Sequence, residues 1–138
     1  NNENLSIIKD ILIKKNKNLN IFETEYHPIN LKYFNLNDSY LVFSGIGNHS
    51  TFIDMLHKNN LNVIHDIEFP DHYEYSLNDI KKINELAIKY NAKILTTEKD
   101  YLRLKNLPQK NIEHIKVLLK ITDVNKLKKI LDIINEDF

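Results

Sequence analysis

An aspartate and a histidine stand side by side, as Asp71 and His72, in the segment Phe69–Tyr75. A histidine can accept or relay a proton near neutral pH, and a neighbouring carboxylate can orient it. Tyr73 follows directly and offers a further polar group. The segment therefore predicts a proton-transfer site, and a loop histidine with a purely structural role is the alternative.

The only two glycines of the chain fall in one tetrapeptide that contains Gly45, Gly47 and Asn48. It follows the apolar run Tyr40–Phe43 and precedes a predicted helix over about Ser50–Asn59. In a strand, Gly-x-Gly, helix arrangement, backbone N–H groups and a helix N-terminus can face an anion. No Gly-Lys-Ser/Thr follows, so the segment is not a Walker A loop. Half of a dinucleotide fingerprint and a purely structural turn both remain open.

A third segment, Thr97, Glu98, Lys99 and Asp100, ends a predicted strand and opens a predicted helix. Thr97 and Asp100 have the spacing of a capping box. Lys99 is a cation near a helix N-terminus, where the helix dipole favours an anion, so it predicts an anionic partner. Arg103, the single arginine, follows one turn later. A solvated helix surface is the alternative for both cations.

A metal site is the weaker interpretation of the acidic and histidine residues. No His-x-x-x-His or His-x-x-Glu-His spacing occurs, and strand alternation should point His65 and Asp66 to opposite faces. The chain has no cysteine, which excludes thiolate ligands and disulfides. We therefore predict no metal site within this chain.

The elements around these segments alternate between strand and helix from Tyr40 onward. Strands are predicted at Tyr40–Ser44, Asn62–Ile67, Lys93–Thr96 and His114–Ile121, and helices after Asn48, Ser76, Thr97 and Asp123. The helix after Ser76 should open with a capping box formed by Ser76 and Asp79 and should bury Ile80, Ile83, Leu86, Ala87 and Tyr90. Short apolar strands alternating with helices predict an α/β fold with a mostly parallel sheet and helices on both faces, a Rossmann-like three-layer sandwich. Ligands of such sheets collect beyond the carboxyl ends of the strands, where all three segments should meet.

Composition adds bounds on domain organisation and partners. The 138 residues include 19 basic and 19 acidic side chains, so the composition lacks the excess of positive charge that would indicate nucleic-acid binding. No apolar run approaches the ~20 residues of a membrane span. We predict a division into residues 1–39, an N-terminal segment with a helix at Leu5–Lys15 and a strand at Ile21–Tyr26, and residues 40–138, the α/β domain. The helix should have an apolar face made of Leu5, Ile8, Ile11 and Leu12, and Pro28 should break the strand.

Taken together, the three segments resemble the C-terminal portion of the tetraacyldisaccharide 4′-kinase family, the lipid A 4′-kinases. The family's glycine segment is matched by 43–48, its Asp-His signature by 69–75, and its third signature by 97–100 followed by Arg103 and Leu104. Order and spacing agree over about Tyr40–Leu104. His49 is a departure, because the family commonly has proline there, and this bears on where the following helix begins.

The resemblance implies transfer of the ATP γ-phosphoryl group to the 4′-hydroxyl of a tetraacyldisaccharide 1-phosphate precursor of lipid A. It implies magnesium, the cytoplasmic face of the bacterial inner membrane, and a two-domain kinase of which this chain is the C-terminal domain. His72 and Asp71 would be catalytic, with His72 assisting a carboxylate base. Residues in the vicinity of substrate or phosphate would be Tyr73, Gly45, Gly47, Asn48, Thr97, Glu98, Lys99 and Asp100.

The family's P-loop, magnesium-binding acids and partner aspartate have no counterpart in these residues. The resemblance therefore implies that ATP and magnesium are held mainly by an N-terminal P-loop domain or split subunit, and that the isolated chain is inactive. A fragment, one piece of a split enzyme and a structural remnant are all compatible with the sequence. A non-catalytic nucleotide- or dinucleotide-binding module built on the Gly45–Gly47 turn is the rival interpretation.

Overall fold

The computed structural model describes the backbone of residues 2–136 and the side chains of residues 5–132. Its helices are α1 (Asn2–Lys15), α2 (His49–Lys58), α3 (Leu77–Tyr90), α4 (Glu98–Arg103) and α5 (Val124–Glu136), with a 3-10 turn at Leu31–Tyr33. Its strands are β1 (Thr24–Pro28), β2 (Ser39–Ser44), β3 (Asn62–Glu68), β4 (Lys93–Thr97), β5 (Ile112–Ile115) and β6 (Val117–Ile121).

Two compact units divide these elements. One runs from Tyr26 to Leu118, and the other takes residues up to Glu25 and from Leu119 onward. The division of this chain into residues 1–39 and 40–138 stays a prediction. None of the helices among the described residues is both long and apolar enough to cross a membrane.

The Tyr26–Leu118 unit is built on a four-stranded sheet in the order β3-β2-β4-β5, with each neighbouring pair parallel. The register pairs Ser44 with Glu68, Phe43 with Thr96, and Thr97 with Ile115. The carboxyl ends of β2, β3 and β4 therefore reach the same edge of the sheet, which places the three sequence segments together. This is the predicted α/β fold.

Alternating residues of β2 face two separate hydrophobic clusters. Leu41 and Phe43 pack in a cluster with α3 residues such as Ile80 and Ile83, and Tyr40 and Val42 pack in a cluster with residues of α2, such as Phe52 and Leu56. Period-2 alternation in a strand that is buried on both faces produces this arrangement. The helices thus cover both faces, and the three-layer prediction is confirmed.

Local signals set the helix limits. The predicted capping box of α3 is present, because Asp79 N–H donates to Ser76 Oγ and the Asp79 carboxylate accepts from Ser76 N–H. Asn91 ends α3 in the left-handed conformation with φ 50°, as its side chain tolerates better than most. Asp123 caps α5 through the N–H of Lys126 at 2.9 Å.

Several predictions of strand boundaries and of buried positions are wrong. The apolar segment predicted as one strand over His114–Ile121 is two strands, because β5 belongs to the main sheet and β6 pairs with β1. Pro28 is the last residue of β1 and not a break after it. Tyr90, predicted on the buried face of α3, is 39% exposed. The predicted apolar face of α1 is exposed within the described structure, at Leu5, Ile8, Ile11 and Leu12.

Candidate functional site

The glycine turn and the Asp-His loop are joined through one carbonyl group. Gly45 O accepts the backbone N–H of His72 at 3.2 Å and the Arg103 Nη1–H at 2.8 Å. Arg103 is the last residue of α4, so the third segment meets the other two at the same atom. The predicted convergence of the three loops is therefore present in the structure.

A cleft of about 540 Å³ opens beside this junction. It combines an apolar floor with polar groups from all three segments, a common composition for ligand sites. Of the predicted site residues, it contains Gly47, Asn48, Asp71, Thr97, Glu98 and Lys99. The remaining lining residues are Tyr26, Ile46, Phe52, Met55 and Val117.

His72 adopts an unusual backbone conformation for a side-chain-bearing residue, with φ at 60°. Its N–H also donates to Asp71 Oδ1 at 2.9 Å, so the two adjacent residues do touch. The imidazole is 74% exposed, and its Nε2 lies 3.8 Å from Asp71 Oδ2. That separation is longer than a hydrogen bond, which leaves Nε2 free to meet another group.

Arg103 holds the other ring nitrogen of His72. Its Nη2 lies 3.2 Å from His72 Nδ1, and its Nη1 also donates to Asp100 Oδ1 at 3.0 Å. Asp100 has no exposed surface, and the Arg103 side chain is 20% exposed. The guanidinium therefore partners a buried carboxylate while reaching the exposed histidine.

Thr97 and Asp100 are explained by the local structure of α4. Thr97 Oγ1 accepts the Asp100 N–H at 3.1 Å and donates its hydroxyl proton to Asp100 Oδ2 at 2.6 Å. Both residues are buried, and their polar atoms are engaged in these bonds, although Thr97 also lines the cleft. We conclude that they support the site by fixing α4 and the position of Arg103.

Glu98 and Lys99 lie on the cleft side of the same helix. Glu98 Oε1 forms an ion pair with Lys116 Nζ at 3.4 Å, and both side chains are about half exposed. Lys99 is exposed at the cleft, where Asp71 and Asn48 are its fellow lining residues. Lys99 is thus the cationic residue of this cleft among the described residues.

The glycine segment is shaped by its close neighbours. A β-carbon on Gly45 would lie 3.0 Å from the Tyr75 hydroxyl and 3.2 Å from Pro70 O, and one on Gly47 would lie 3.3 Å from Asp71 Oδ2. Asn48 caps α2 by accepting the Thr51 N–H at 3.2 Å. The glycines therefore allow the Asp-His loop to approach the end of β2.

His49 is the first residue of α2 and takes part in a line of polar side chains that runs from the buried Ser44 to the exposed Asp66. Its Nδ1 lies 2.6 Å from Ser44 Oγ and its Nε2 lies 2.9 Å from Asp66 Oδ2. Because a carboxylate only accepts, Nε2–H donates to Asp66 and Nδ1 of the neutral ring accepts from Ser44. A serine, histidine and aspartate in line resemble a nucleophile array, but Ser44 has no exposed surface for a substrate. The line is structural.

Tyr73 does not contact the His72 ring. Its hydroxyl donates to Asp79 at 3.3 Å, and its ring lies 4.8 Å from that of Phe69. Desolvation, with the nearby Asp79 charge, raises the pKa of the Tyr73 hydroxyl. Tyr73 therefore braces the loop against the start of α3.

Tyr75 is buried beneath Gly45 in the same aromatic cluster, 5.4 Å from Phe43 between ring centroids. Burial, and next the charge of nearby Asp100, raise the pKa of its hydroxyl. Within the part of the chain that the structure describes, that hydroxyl has no partner in hydrogen-bonding geometry. This is an uncommon state for a buried polar atom.

The histidine and acidic residues considered as metal ligands lie apart from one another in the described structure. Among the described residues, no three His, Asp or Glu side chains are grouped to hold a metal. Members of the cluster considered from sequence are dispersed, since His65 stacks on Tyr90 and Asp66 binds His49. The 138-residue sequence also contains no P-loop motif.

Two interactions were not predicted from the sequence. The bond from Arg103 to His72 joins residues 31 positions apart, and that from His49 to Asp66 joins residues 17 positions apart. The signals available were the isolated arginine in a lysine-rich chain and a histidine where a proline was expected. Each signal singles out one residue, Arg103 or His49, but does not identify the residue that it contacts.

Residues 7–135 match the family model described as tetraacyldisaccharide-1-P 4′-kinase. The chain is 47% identical to a tetraacyldisaccharide 4′-kinase of Pelagibacter ubique over 136 residues, 99% of this chain and 43% of that protein. It is 40% identical to the enzyme of the same name from Rickettsia typhi over 54% of this chain and 23% of that protein. It thus spans less than half the length of these relatives.

Among solved structures, a crystal structure of LpxK from Aquifex aeolicus in complex with ATP matches with a TM-score of 0.47. The identity is 24%, over 80% of this chain and 34% of the other. This likeness is too weak for a detailed comparison of the two folds.

Proposed function

This chain belongs to the tetraacyldisaccharide-1-P 4′-kinase family, and we propose that it forms the C-terminal part of an enzyme that phosphorylates a lipid A precursor. The reaction would transfer the ATP γ-phosphoryl group to the 4′-hydroxyl of a tetraacyldisaccharide 1-phosphate. The observation that carries the proposal for this chain is the junction at Gly45 O, where the exposed His72, the glycine turn and Arg103 of α4 meet. Asp71 lines the cleft shared by all three family segments, and His72 lines a neighbouring cavity with Tyr73 and Arg103.

His72 is the proton-handling residue of this proposal. Its ring is largely exposed and Nε2 has no hydrogen bond to Asp71, so the nitrogen can meet a sugar hydroxyl or a carboxylate brought by the rest of the enzyme. Phosphoryl transfer depends mainly on positioning and charge stabilisation, and the acceptor hydroxyl needs a proton acceptor, which in this proposal is a carboxylate base that His72 assists. Asp71 fixes the loop through the His72 N–H, and Lys99 supplies positive charge at the cleft.

The nucleotide and its magnesium are proposed to bind mainly to the P-loop part of the kinase, since the described residues do not form that site. ATP with magnesium supplies the transferable phosphoryl group. The residues of this chain contribute the histidine, the cation and the walls of the cleft. We accordingly expect the 138-residue chain alone to lack kinase activity, and we expect the complete enzyme to work at the cytoplasmic face of the inner membrane, where its acylated substrate would lie.

The dinucleotide-binding alternative is not favoured by the geometry. The Asp71 carboxylate packs against Gly47, with Oδ2 3.3 Å from the point that a β-carbon on that glycine would occupy. A negative charge against the turn that would have to receive a pyrophosphate opposes its binding. Titration of the chain with NADH, read by fluorescence, should give no saturation at millimolar concentration, and tight binding would favour the alternative.

A chimera offers the test of function. Residues 1–138 replace the matching part of the Pelagibacter ubique kinase, and phosphoryl transfer from labelled ATP to a tetraacyldisaccharide 1-phosphate is measured. We expect turnover by the chimera and none by the 138-residue chain alone. In the chimera, His72→Ala should lower kcat by about 10²- to 10⁴-fold, the usual contribution of proton transfer.

His57→Ala provides the matched control, because His57 is an exposed histidine of α2 with no part in the cleft. It should leave turnover unchanged. A folded chimera that transfers no phosphate would contradict the proposed function, and full turnover by the His72→Ala form would remove His72 from the mechanism.

A further inference from the structure

Arg103 uses both ends of its guanidinium group at the junction of the three segments. The two protons of Nη1 are directed to Gly45 O at 2.8 Å and Asp100 Oδ1 at 3.0 Å. Nη2, on the other side of the fork, lies 3.2 Å from His72 Nδ1. The first two contacts anchor the side chain to the end of β2 and to its own helix, and the third reaches the Asp-His loop.

The hydrogen bond between Arg103 and His72 can have only one direction. Arginine donates only, so His72 Nδ1 must accept, and it carries no proton in this arrangement. In the neutral imidazole the proton then resides on Nε2. The histidine backbone is held separately, because its N–H donates to the same Gly45 O. The carbonyl of Gly45 thus aligns both the guanidinium of Arg103 and the backbone of His72, the residue that the guanidinium contacts.

We propose that Arg103 is a positioning residue that holds His72 in the Nε2–H tautomer, with Nε2 on the side of the Asp71 carboxylate, 3.8 Å from its Oδ2. For its catalytic consequence this inference rests on the proposed function. An Nε2–H donor would orient a carboxylate base supplied by the rest of the kinase, so His72 would donate a hydrogen bond and the carboxylate would take the hydroxyl proton. The ring would not itself be the first proton acceptor.

An arginine suits this position better than a lysine. The anchoring contacts use one nitrogen and the contact to His72 uses another, and the planar fork fixes the direction of both. A lysine would keep the positive charge beside the buried Asp100 but has a single nitrogen on a flexible stem. Arg103→Lys is therefore the informative variant, because it retains charge compensation for Asp100. Arg103→Ala would leave that carboxylate buried without its cation.

The direct test is the tautomer of His72 in the 138-residue chain. Long-range ¹H–¹⁵N correlation spectra of the uniformly ¹⁵N-labelled chain distinguish a protonated from an unprotonated ring nitrogen, and His72→Ala assigns the signals. At a pH where the ring is neutral, we expect the wild-type His72 to show an unprotonated Nδ1 and a protonated Nε2. Arg103→Lys should give a mixture of tautomers while the signals of His57 and His65 stay in place.

Lys105→Ala is the control, since Lys105 is an exposed cation two residues further along, outside the junction. It should leave the His72 signals unchanged. A protonated Nδ1 in the wild-type chain would overturn the inference. An unaltered His72 tautomer in a folded Arg103→Lys chain would also overturn it, because Arg103 would then only fasten α4 to the glycine turn.

A second measurement addresses the catalytic consequence in the chimeric kinase. Arg103→Lys should lower kcat by about tenfold to a hundredfold, as expected for a misdirected catalytic group. The KM for ATP should change little, because the nucleotide binds elsewhere in this scheme. An unchanged kcat would overturn the positioning role. A wild-type chimera without activity would contradict the proposed function and leave the spectroscopic result to decide the tautomer.

Discussion

The Tyr75 hydroxyl lies 3.0 Å from the point that a β-carbon would occupy on Gly45. The same hydroxyl is buried without a hydrogen-bond partner in the described structure. The glycine and the tyrosine therefore limit each other: the aromatic cluster under the loop fills the space that any larger residue at position 45 would need.

Gly45→Ala should lower the free energy of unfolding by about 1–3 kcal/mol, the usual cost of overpacking. Tyr75→Phe should be close to neutral, because it removes a buried hydroxyl that makes no hydrogen bond. In the double variant, part of the Gly45→Ala loss should be recovered, although Pro70 O still lies 3.2 Å from the new methyl group. Urea unfolding of the four proteins measures the coupling. Strictly additive losses would show that the hydroxyl is not the obstacle.

His49→Ala should lower the free energy of unfolding by about 2–3 kcal/mol, because it leaves the buried Ser44 hydroxyl without its partner and opens a cavity. Asp66→Asn should cost less, since the Asp66 side chain is half exposed and water can replace its contact. Chemical denaturation of both variants gives the comparison. An equal or larger loss for Asp66→Asn would contradict the view that the buried end of this line matters more.

The capping box at the start of α3 should make stability depend on acid pH. The Ser76 hydroxyl, first among several hydrogen bonds, lowers the pKa of Asp79 below its usual value of 3.8. At a pH between the lowered pKa of Asp79 in the folded chain and its usual pKa in the unfolded chain, the unfolded chain binds more protons. The stability that Asp79 contributes is therefore full above pH 3.8 and is lost as the pH falls through the folded-state pKa. Asp79→Asn should cost about 1 kcal/mol at neutral pH, as other caps do, and less at acid pH.

That loss is followed by thermal unfolding of wild-type and Asp79→Asn chains at several pH values. Asn78→Ala, in the exposed position beside it, is the control and should show the pH dependence of the wild type. If the difference in stability between the wild-type and Asp79→Asn chains were the same at all pH values, the titration of Asp79 would not be the source of the pH dependence.

His72→Gly should be more stable than His72→Ala by about 1 kcal/mol, because only glycine adopts the φ of 60° without steric cost. In the chimeric kinase both variants should be equally defective in turnover. Differential scanning calorimetry and the phosphoryl-transfer assay measure the two properties on the same samples. A less stable glycine variant would mean that the loop relaxes when the imidazole is removed.

The strand pattern was enough to predict the sheet and the common edge of the three segments. Tyr40–Phe43 is apolar on both faces, and the segments that follow the strands carry the polar residues. The sequence could not show that the apolar stretch after His114 changes sheet, because both halves have the same character. The prediction that Tyr90 is buried was wrong because this last residue of α3 stacks its ring on His65 and stays partly exposed.

The contacts that define the site depend on three-dimensional proximity and lie beyond local patterns. The reach of Arg103 to Gly45 and His72 requires the β2–β4 register and the short length of α4. The His49 to Asp66 bond requires the neighbouring register of β2 and β3. Residue types predicted polar loops at one edge, and the partner of each polar atom followed only from the coordinates.

The left-handed backbone at position 72 sets two selection pressures against each other. A library of variants at position 72 that is screened for thermal stability should enrich glycine and asparagine. The same library in the chimera, screened for phosphorylation of the lipid substrate, should retain histidine. The difference in melting temperature between the residues selected in the two screens would measure how much stability the proposed role of the imidazole costs this loop.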